Sequence, residues 1–295
     1  MPLNYIEPLF RPPSEAASLI LQVTNGCSYN RCTFSGMYTQ PQKRFRPRAE
    51  ADLLAEIAAV ARRGYGVRRV FLADGDAMAL STRRLLAILN AIRAQLPTVQ
   101  RVSAYCLPRN LLHKSDADLR QLYAAGLQLV YVGAESGDDR VLERVHKGES
   151  WDSTLTALNR LADAGIRRSV MILNGLGGKR YSTQHAIHSA TLVNATQPEY
   201  LATLVVSFPQ GMARFQAGYQ GEFEPLSQEE LFVEMRLLLQ HLELAKTIFR
   251  SDHASNYLVL KGVLGRDKAH LLQQLQGAID TPAQAHLRPE WARGL

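Results

Sequence analysis

Apolar and polar residues follow two alternating patterns along the chain, and these patterns predict strands and helices in turn. Short apolar or β-branched runs indicate strands, and apolar positions recurring every three or four residues indicate helices. The predicted strands cover residues 18–24, 69–73, 101–105, 127–132, 169–173 and 200–207. The predicted helices between them cover residues 50–63, 81–95, 116–125, 151–164 and 183–196.

This strict succession of strands and helices predicts an α/β fold with a parallel sheet and right-handed crossovers. The six strands suit a partial (β/α)6 barrel or an open sheet and are too few for a closed barrel of eight. Beyond about residue 225 the pattern predicts a long amphipathic helix over 228–247, a weak strand over 259–263 and a helix over 267–279. We therefore expect a barrel with its N-terminal lead-in over residues 1–225, and a mainly helical C-terminal extension packed on it over 226–295.

Composition narrows the class of protein. The chain has 295 residues, of which 46% are hydrophobic and 21% charged, and this composition is typical of a globular protein. Its net charge of +7 is mild, so nucleic acid as a partner stays an alternative that rests on charge alone. Residues 1–11 show no signal peptide and no window of 18 apolar residues exists, so we expect a cytoplasmic protein without a membrane partner.

Residues that could bind a ligand or take part in catalysis come directly after the predicted strands. The ends of parallel strands carry the functional residues of α/β folds, so these positions are expected to face one common mouth. The residues are Cys27, Cys32, Asp74, Asp76, Cys106, Glu135, Gly175 and Gly177.

A loop with two cysteines follows the first predicted strand. Cys27 and Cys32 are separated by four residues, and Phe34 and Ser35 follow them. Several thiolates on a tight loop are what an iron–sulfur cluster needs, and these two cysteines supply part of such a set. A cysteine at position 35 would complete a set of three thiolates.

On these residues the chain resembles the radical S-adenosylmethionine (radical SAM) superfamily, in its iron–sulfur oxidoreductase-like branch, over roughly residues 14–211. The resemblance implies a partial barrel of radical SAM type, with a 4Fe–4S cluster held by three cysteines of this loop. It makes Cys27, Cys32 and position 35 the metal ligands, with Phe34 as the aromatic residue before the third. Ser35 departs from the pattern, because a serine oxygen ligates iron only as an alkoxide and binds much more weakly at neutral pH.

Three further segments carry the resemblance and would bind S-adenosylmethionine. The turn 74–76 stands where the family has a Gly-Gly-Glu stretch that binds the amino group of the methionine part. Residues 133–137 match a Gly-x-Glu-Ser-Gly stretch, whose Glu135 would accept hydrogen bonds from ribose hydroxyls or a cationic amine. The apolar strand 169–173, with the glycines that follow it, would pack the adenine. Their simpler interpretations are an acidic turn, a helix N-cap and a tight turn. The implied cofactor-binding residues are Phe34, Asp74, Gly75, Asp76, Glu135, Ser136, Ser169, Gly175 and Gly177.

The resemblance also implies a reaction. The cluster, reduced by a donor such as flavodoxin or ferredoxin, would cleave S-adenosylmethionine to a 5′-deoxyadenosyl radical that abstracts hydrogen from an unidentified substrate. The protein would supply positioning and exclusion of water.

Several alternatives stay open at this stage. Ser35 is compatible with an engineered Cys-to-Ser variant, a natural member with an altered cluster, or a pseudoenzyme that has lost it. Cys106 is either a substitute thiolate or a buried apolar residue. The rival functions are a SAM-binding module without redox chemistry, a barrel lyase using Lys114 or Lys147, and an incomplete zinc site with His113.

Overall fold

Eight strands form the main sheet of this α/β protein, and most of them run parallel. The computed structural model describes residues 3–208 and 211–294. Within that part of the chain the strands are β1 (Leu19–Gln22), β2 (Thr24–Asn25), β3 (Arg46–Pro47), β4 (Arg69–Ala73), β5 (Arg101–Cys106), β6 (Leu127–Glu135), β7 (Arg167–Asn174), β8 (Tyr200–Val205), β9 (Ile248–Ser251) and β10 (Leu260–Val263). The mixed α/β architecture predicted from the sequence is confirmed.

The helices within the same described residues mostly lie between consecutive strands. They are α1 (Glu50–Arg62), α2 (Thr82–Gln95), α3 (Asp116–Ala124), α4 (Asp139–Arg144), α5 (Trp151–Asp163), α6 (Gly178–Thr196), α7 (Ala213–Gly218), α8 (Gln228–His241) and α9 (Leu264–Asp280). None of these described helices has the length and apolar character needed to cross a bilayer.

The chain divides into two units. The first comprises Met1–Asn30, Ser35–Val132 and Ala157–Arg168, and the second comprises Arg31–Phe34, Gly133–Thr156 and Ser169–Leu295. The division predicted at residue 225 stays a prediction.

In the first unit, β4 lies between β1 and β5, and β6 follows β5, all in parallel register. Val70 of β4 pairs with Leu19 of β1 and with Val102 of β5. The interior strands are buried on both faces, as expected for a parallel sheet covered by helices. Helix α2 packs on α1 and α3 and buries its apolar positions. These are Leu85, Ile88, Leu89 and Ile92, whose spacing of three or four residues produced the helix prediction.

In the second unit, β7 and β8 are parallel, β8 pairs in parallel with β9, and β10 runs antiparallel to β9. Helix α8 packs against both α6 and α9. Strand β9 was not predicted. Its four residues alternate half-buried and buried positions, a pattern too short to distinguish from the end of a helix.

Some predicted boundaries were wrong. The helix predicted over 228–247 ends at His241, because Leu242 takes an extended backbone, and β9 begins at Ile248. The helix predicted over 183–196 begins at Gly178, five residues earlier. Helices α4 and α7 were not predicted, since six residues give too few turns for a periodic pattern.

The segment 253–257 follows β9 and is tied to β8. The buried Asn256 side chain accepts a hydrogen bond from the Val205 amide at 2.9 Å and donates one to the Thr203 carbonyl at 2.8 Å. These two contacts hold the segment against the end of β8.

Candidate functional site

The cysteine loop begins directly after β2 in the first unit. The Asn25 side chain donates hydrogen bonds to the carbonyl oxygens of Gln42, at 2.6 Å, and Arg44, at 3.0 Å. Cys27 is half-buried and Ser35 is half-buried, and the Ser35 hydroxyl accepts a hydrogen bond from the Met37 amide at 3.4 Å. Cys32, also half-buried, belongs with Phe34 to the second unit.

Asp74 opens the turn that follows β4, and its carboxylate is occupied by protein partners. Its Oδ1 accepts a hydrogen bond from the Tyr38 hydroxyl at 2.9 Å, and its Oδ2 accepts bonds from Lys43 and, at 3.3 Å, from Gln22. Lys43 is fully buried and also donates to the carbonyl oxygen of Ile6 at 2.8 Å. Burial raises the pKa of Asp74, and the Lys43 ammonium acts in the opposite direction.

Gly75 has a steric reason to be glycine. A side chain at this position would overlap the ring of Tyr38. The close approach therefore comes from the protein itself, independent of any ligand.

Asp76 is the second buried acid of the same turn, and it differs from Asp74 in its partners. Its Oδ2 accepts a hydrogen bond from the Ser28 hydroxyl, which belongs to the cysteine loop. Its Oδ1 is buried and makes no hydrogen bond with the residues that the structure describes. Burial raises the pKa of Asp76, while Ser28, Asn110 and the Lys114 charge act against this shift.

Cys106 and Lys114 are buried near this turn. Cys106 ends β5 and is 2% exposed. The Lys114 ammonium donates to the carbonyl oxygen of Leu80 at 2.7 Å, and burial lowers the pKa of this lysine. His113, the histidine considered for zinc, is exposed.

In the second unit, Glu135 ends β6 with a left-handed backbone, φ +66°. Its carboxylate lies 3.2 Å from the ammonium of Lys147, and both side chains are buried. Lys147 in turn stands 5.7 Å from the ring centre of Phe34. Phe34 and Glu135, both predicted site residues, are therefore linked through a lysine that sequence reasoning considered only for a lyase.

Ser136 is fully buried and bonds to the protein interior. Its hydroxyl lies 2.8 Å from His185 Nδ1 and accepts a hydrogen bond from the Asp138 amide at 2.9 Å. Asp138 caps the N-terminus of α4 through the Val141 amide, as the N-cap alternative predicted for this acid. Burial lowers the pKa of His185 to about 4, so the ring is neutral at pH 7.

The turn after β7 contains Gly175 and Gly177. Gly175 has φ +84°, a region that glycine adopts readily, and its amide donates to Glu234 Oε1 at 2.6 Å. Glu234 lies on α8 and is 2% exposed, and burial raises its pKa to about 7. Gly177 is the N-cap of α6.

Ser169 lies apart from this strand end. It pairs with Tyr200 near the start of β7, five residues before Asn174. At about 3.3 Å per strand residue it stands roughly 16 Å from the turn.

Four buried residues that shape these turns were not predicted: Tyr38, Lys43, His185 and Glu234. Glu234 had a sequence signal, because it is an acid on the same helical face as Leu231, Met235 and Leu238. Lys43 stands in a polar run with no pattern that separates a buried lysine from an exposed one.

The donor set does not fit a cluster held by three thiolates. The loop supplies two thiols, and position 35 holds a hydroxyl already bonded by the Met37 amide. Within residues 3–208 and 211–294, no group of three or more His, Cys, Asp and Glu side chains is arranged to hold a metal ion. Cys27, Cys32 and Ser35 as iron ligands therefore stay a prediction.

Part of the chain is similar to known proteins. The model of the radical SAM superfamily matches residues 21–190. A tRNA uridine(34) acetyltransferase from Methanocaldococcus infernus is 22% identical over 156 residues, which are 52% of this chain and 29% of that protein.

Solved structures share the fold. Coproporphyrinogen III oxidase from Escherichia coli superposes with a TM-score of 0.55 and 15% identity, over 76% of this chain and 50% of that one. The radical S-adenosylmethionine methyltransferase TsrM from Kitasatospora setae, solved with cobalamin and a [4Fe-4S] cluster, has a TM-score of 0.51 and 20% identity, over 63% of this chain and 34% of its own. The present chain thus spans about a third of the acetyltransferase and of the methyltransferase.

Proposed function

Because this chain belongs to the radical SAM superfamily, whose model covers more than half of it, we propose that it binds S-adenosylmethionine as an enzyme domain of that superfamily. Cleavage of this ligand to a 5′-deoxyadenosyl radical, which the resemblance implies, is proposed for a form with cysteine at position 35. The form with Ser35 binds the ligand and is impaired in cleavage.

One observation carries the proposal. Within the matched region, the Ser28 hydroxyl of the cysteine loop is hydrogen-bonded to Asp76 of the turn after β4. The other carboxylate oxygen of Asp76 is buried and has no partner among the described residues. A buried carboxylate oxygen of this kind suits the ammonium group of the ligand's methionine part.

The two acids of this turn therefore take different proposed roles. Asp76 receives the ligand's ammonium group. Asp74, whose oxygens are bonded by Tyr38, Lys43 and Gln22, holds the turn in place.

A second candidate function is a SAM-binding module without redox chemistry. It is favoured by the donor set, since Ser35 is a poor iron ligand at neutral pH. The two candidates agree on S-adenosylmethionine and differ in whether position 35 alone prevents cluster assembly.

The experiment compares the unsubstituted chain with Ser35→Cys after anaerobic reconstitution with iron and sulfide. We expect Ser35→Cys to approach about four iron atoms per chain, and the Ser35 form to hold far less. With dithionite in place of a flavodoxin or ferredoxin donor, Ser35→Cys is expected to produce 5′-deoxyadenosine from S-adenosylmethionine.

Two controls sharpen the result. Ser35→Ala removes the hydroxyl without adding a thiol, and should match the unsubstituted chain in iron content. Adding Cys106→Ser to Ser35→Cys should leave the iron content unchanged, because Cys106 is buried at the end of β5. If Ser35→Cys binds no more iron than the unsubstituted chain, the enzyme proposal is wrong and the binding module remains.

A further inference from the structure

The turn after β7 is held by side chains and backbone groups that lie beyond the matched region 21–190. The Asn174 side-chain amide donates to the carbonyl oxygen of Leu231 at 3.0 Å. The Tyr219 hydroxyl donates to the carbonyl oxygen of Leu176 at 2.6 Å. Both bonds are buried, so breaking either one leaves a polar group without water as a substitute.

Glu234 makes the central contact of this set. Its Oε1 accepts the hydrogen bond of the Gly175 amide at 2.6 Å. Glycine is required at position 175, because φ is +84° and a side chain there would come within 2.8 Å of a Leu231 methyl group. The amide of this strained position therefore points at one carboxylate on α8.

A buried acid on an apolar helix face needs a reason. Glu234 is 2% exposed, and its nearest cationic candidate is His185 at 3.9 Å. The Ser182 side chain is a second hydrogen-bond partner of this carboxylate besides the Gly175 amide, and the Oε2 atom has none among the described residues. Burying a carboxylate in this way is costly, and an apolar residue would pack at the same position without that cost. The hydrogen bond to the Gly175 amide explains why an acid stands at position 234 in spite of this cost.

We infer that Glu234 is a positioning residue for S-adenosylmethionine: by holding the Gly175 amide, it fixes the turn 175–178, to which the family resemblance assigns the ligand's adenine. The inference rests on the proposed function and extends it to the C-terminal part of the chain. Leu231 and Tyr219 are the other contributors from that part, and Glu234 is the one that bonds the left-handed glycine itself.

The test compares Glu234→Ala, Glu234→Gln and the unsubstituted chain, with Glu229→Ala as an exposed control on the same helix. Affinity for S-adenosylmethionine is measured by calorimetry, and hydrogen exchange of the Gly175 amide is measured without ligand. Glu234→Ala should weaken the affinity and the exchange protection by about tenfold or more, the loss expected for a buried bond to a carboxylate. Glu234→Gln should stay within about threefold, because its amide oxygen accepts the same bond.

The outcomes separate the inference from the proposed function. Equal affinities in Glu234→Ala and the unsubstituted chain overturn the inference alone. Absence of binding in the unsubstituted chain overturns the proposed function, while unchanged Gly175 exchange in Glu234→Ala shows that Glu234 does not hold the turn. If Glu234→Ala fails to fold, Glu234→Asp replaces it, since this variant keeps the charge but is one methylene too short for the bond. It should then lose affinity where Glu234→Gln retains it.

Discussion

The turns after β4 and β7 each involve a buried carboxylate, Asp74 in the first turn and Glu234 of α8 bonded to the second. The two carboxylates have different kinds of partner. Asp74 in the first unit is paired with a fully buried lysine and bonded by two further side chains. Glu234 in the second unit has only neutral hydrogen-bond partners, the Gly175 amide and the Ser182 side chain, and keeps an oxygen without one among the described residues. The first turn is held by an ion pair, and the second by an acid that burial pushes toward its neutral form.

The two acids also differ in what opposes the rise of their pKa values. Burial raises the pKa of both acids, but the Lys43 ammonium opposes the shift at Asp74. No cation opposes it strongly at Glu234, whose pKa rises to about 7. We expect removal of the Lys43 charge to destabilise the first turn, and the stability contributed at the second turn to depend on pH.

The largest effect is expected from removing the buried cation. Lys43→Met leaves Asp74 buried without its partner, and should lower the free energy of unfolding by about 3–5 kcal/mol. Adding Asp74→Asn should restore much of this loss, because the remaining carboxylate charge is gone. Denaturant unfolding measures both, with Lys179→Met as a control at a half-exposed ion pair expected to cost less than about 1 kcal/mol. A similar small loss for Lys43→Met would contradict the role of the ion pair.

A smaller effect is expected from pH, through two groups with opposite signs. Glu234 has a raised pKa, so its contribution to stability is present below pH 4.5 and is lost as pH rises through about 7. His185 has a lowered pKa, so its contribution is present above pH 6.5 and is lost as pH falls toward 4. Between these values the two contributions oppose each other in the unsubstituted chain.

The substitution Glu234→Gln removes the titrating acid and leaves the contribution of His185 to the pH dependence of stability. The free energy of unfolding of this variant should rise between pH 4 and 6.5, where the unsubstituted chain changes less. The difference between the two proteins should change by on the order of 3 kcal/mol from pH 4.5 to pH 8, since one pKa unit corresponds to about 1.4 kcal/mol. A difference that does not depend on pH would mean that Glu234 titrates as an ordinary surface acid.

The smallest effect concerns the caps of two helices, one in each unit. Ser227 caps α8, and Ser115 caps α3 in the first unit, each within a capping box. Ser227→Ala and Ser115→Ala should each lower the free energy of unfolding by about 1 kcal/mol. Equal losses would mean that the two units differ in the partners of their buried carboxylates and not in their helix caps. A much larger loss for Ser227→Ala would mean that helix α8 itself accounts for the difference.

Sequence reasoning recovered the parts of this molecule that have a periodic pattern. The apolar runs predicted β4, β5 and β7, and the N-cap interpretation of the stretch around Glu135 agrees with the cap that Asp138 forms on α4. The partners of the strand-end residues were missed, because they come from distant parts of the chain. Lys43 is 31 residues from Asp74, and Glu234 is 59 residues from Gly175. Ionic and hydrogen-bonded pairs at such separations have no spacing rule, so only the fold identifies them.

Asn256 has a consequence for how the protein behaves at high concentration. Strand β9 pairs with β8 only from Tyr200 to Ala202, which leaves the backbone of the last β8 residues without a strand partner on that side. The Asn256 carboxamide bonds Thr203 and Val205 there, as a neighbouring strand would. One side chain thus closes an edge that would otherwise invite pairing between molecules, and a substitution at this position is expected to promote aggregation before it changes ligand binding.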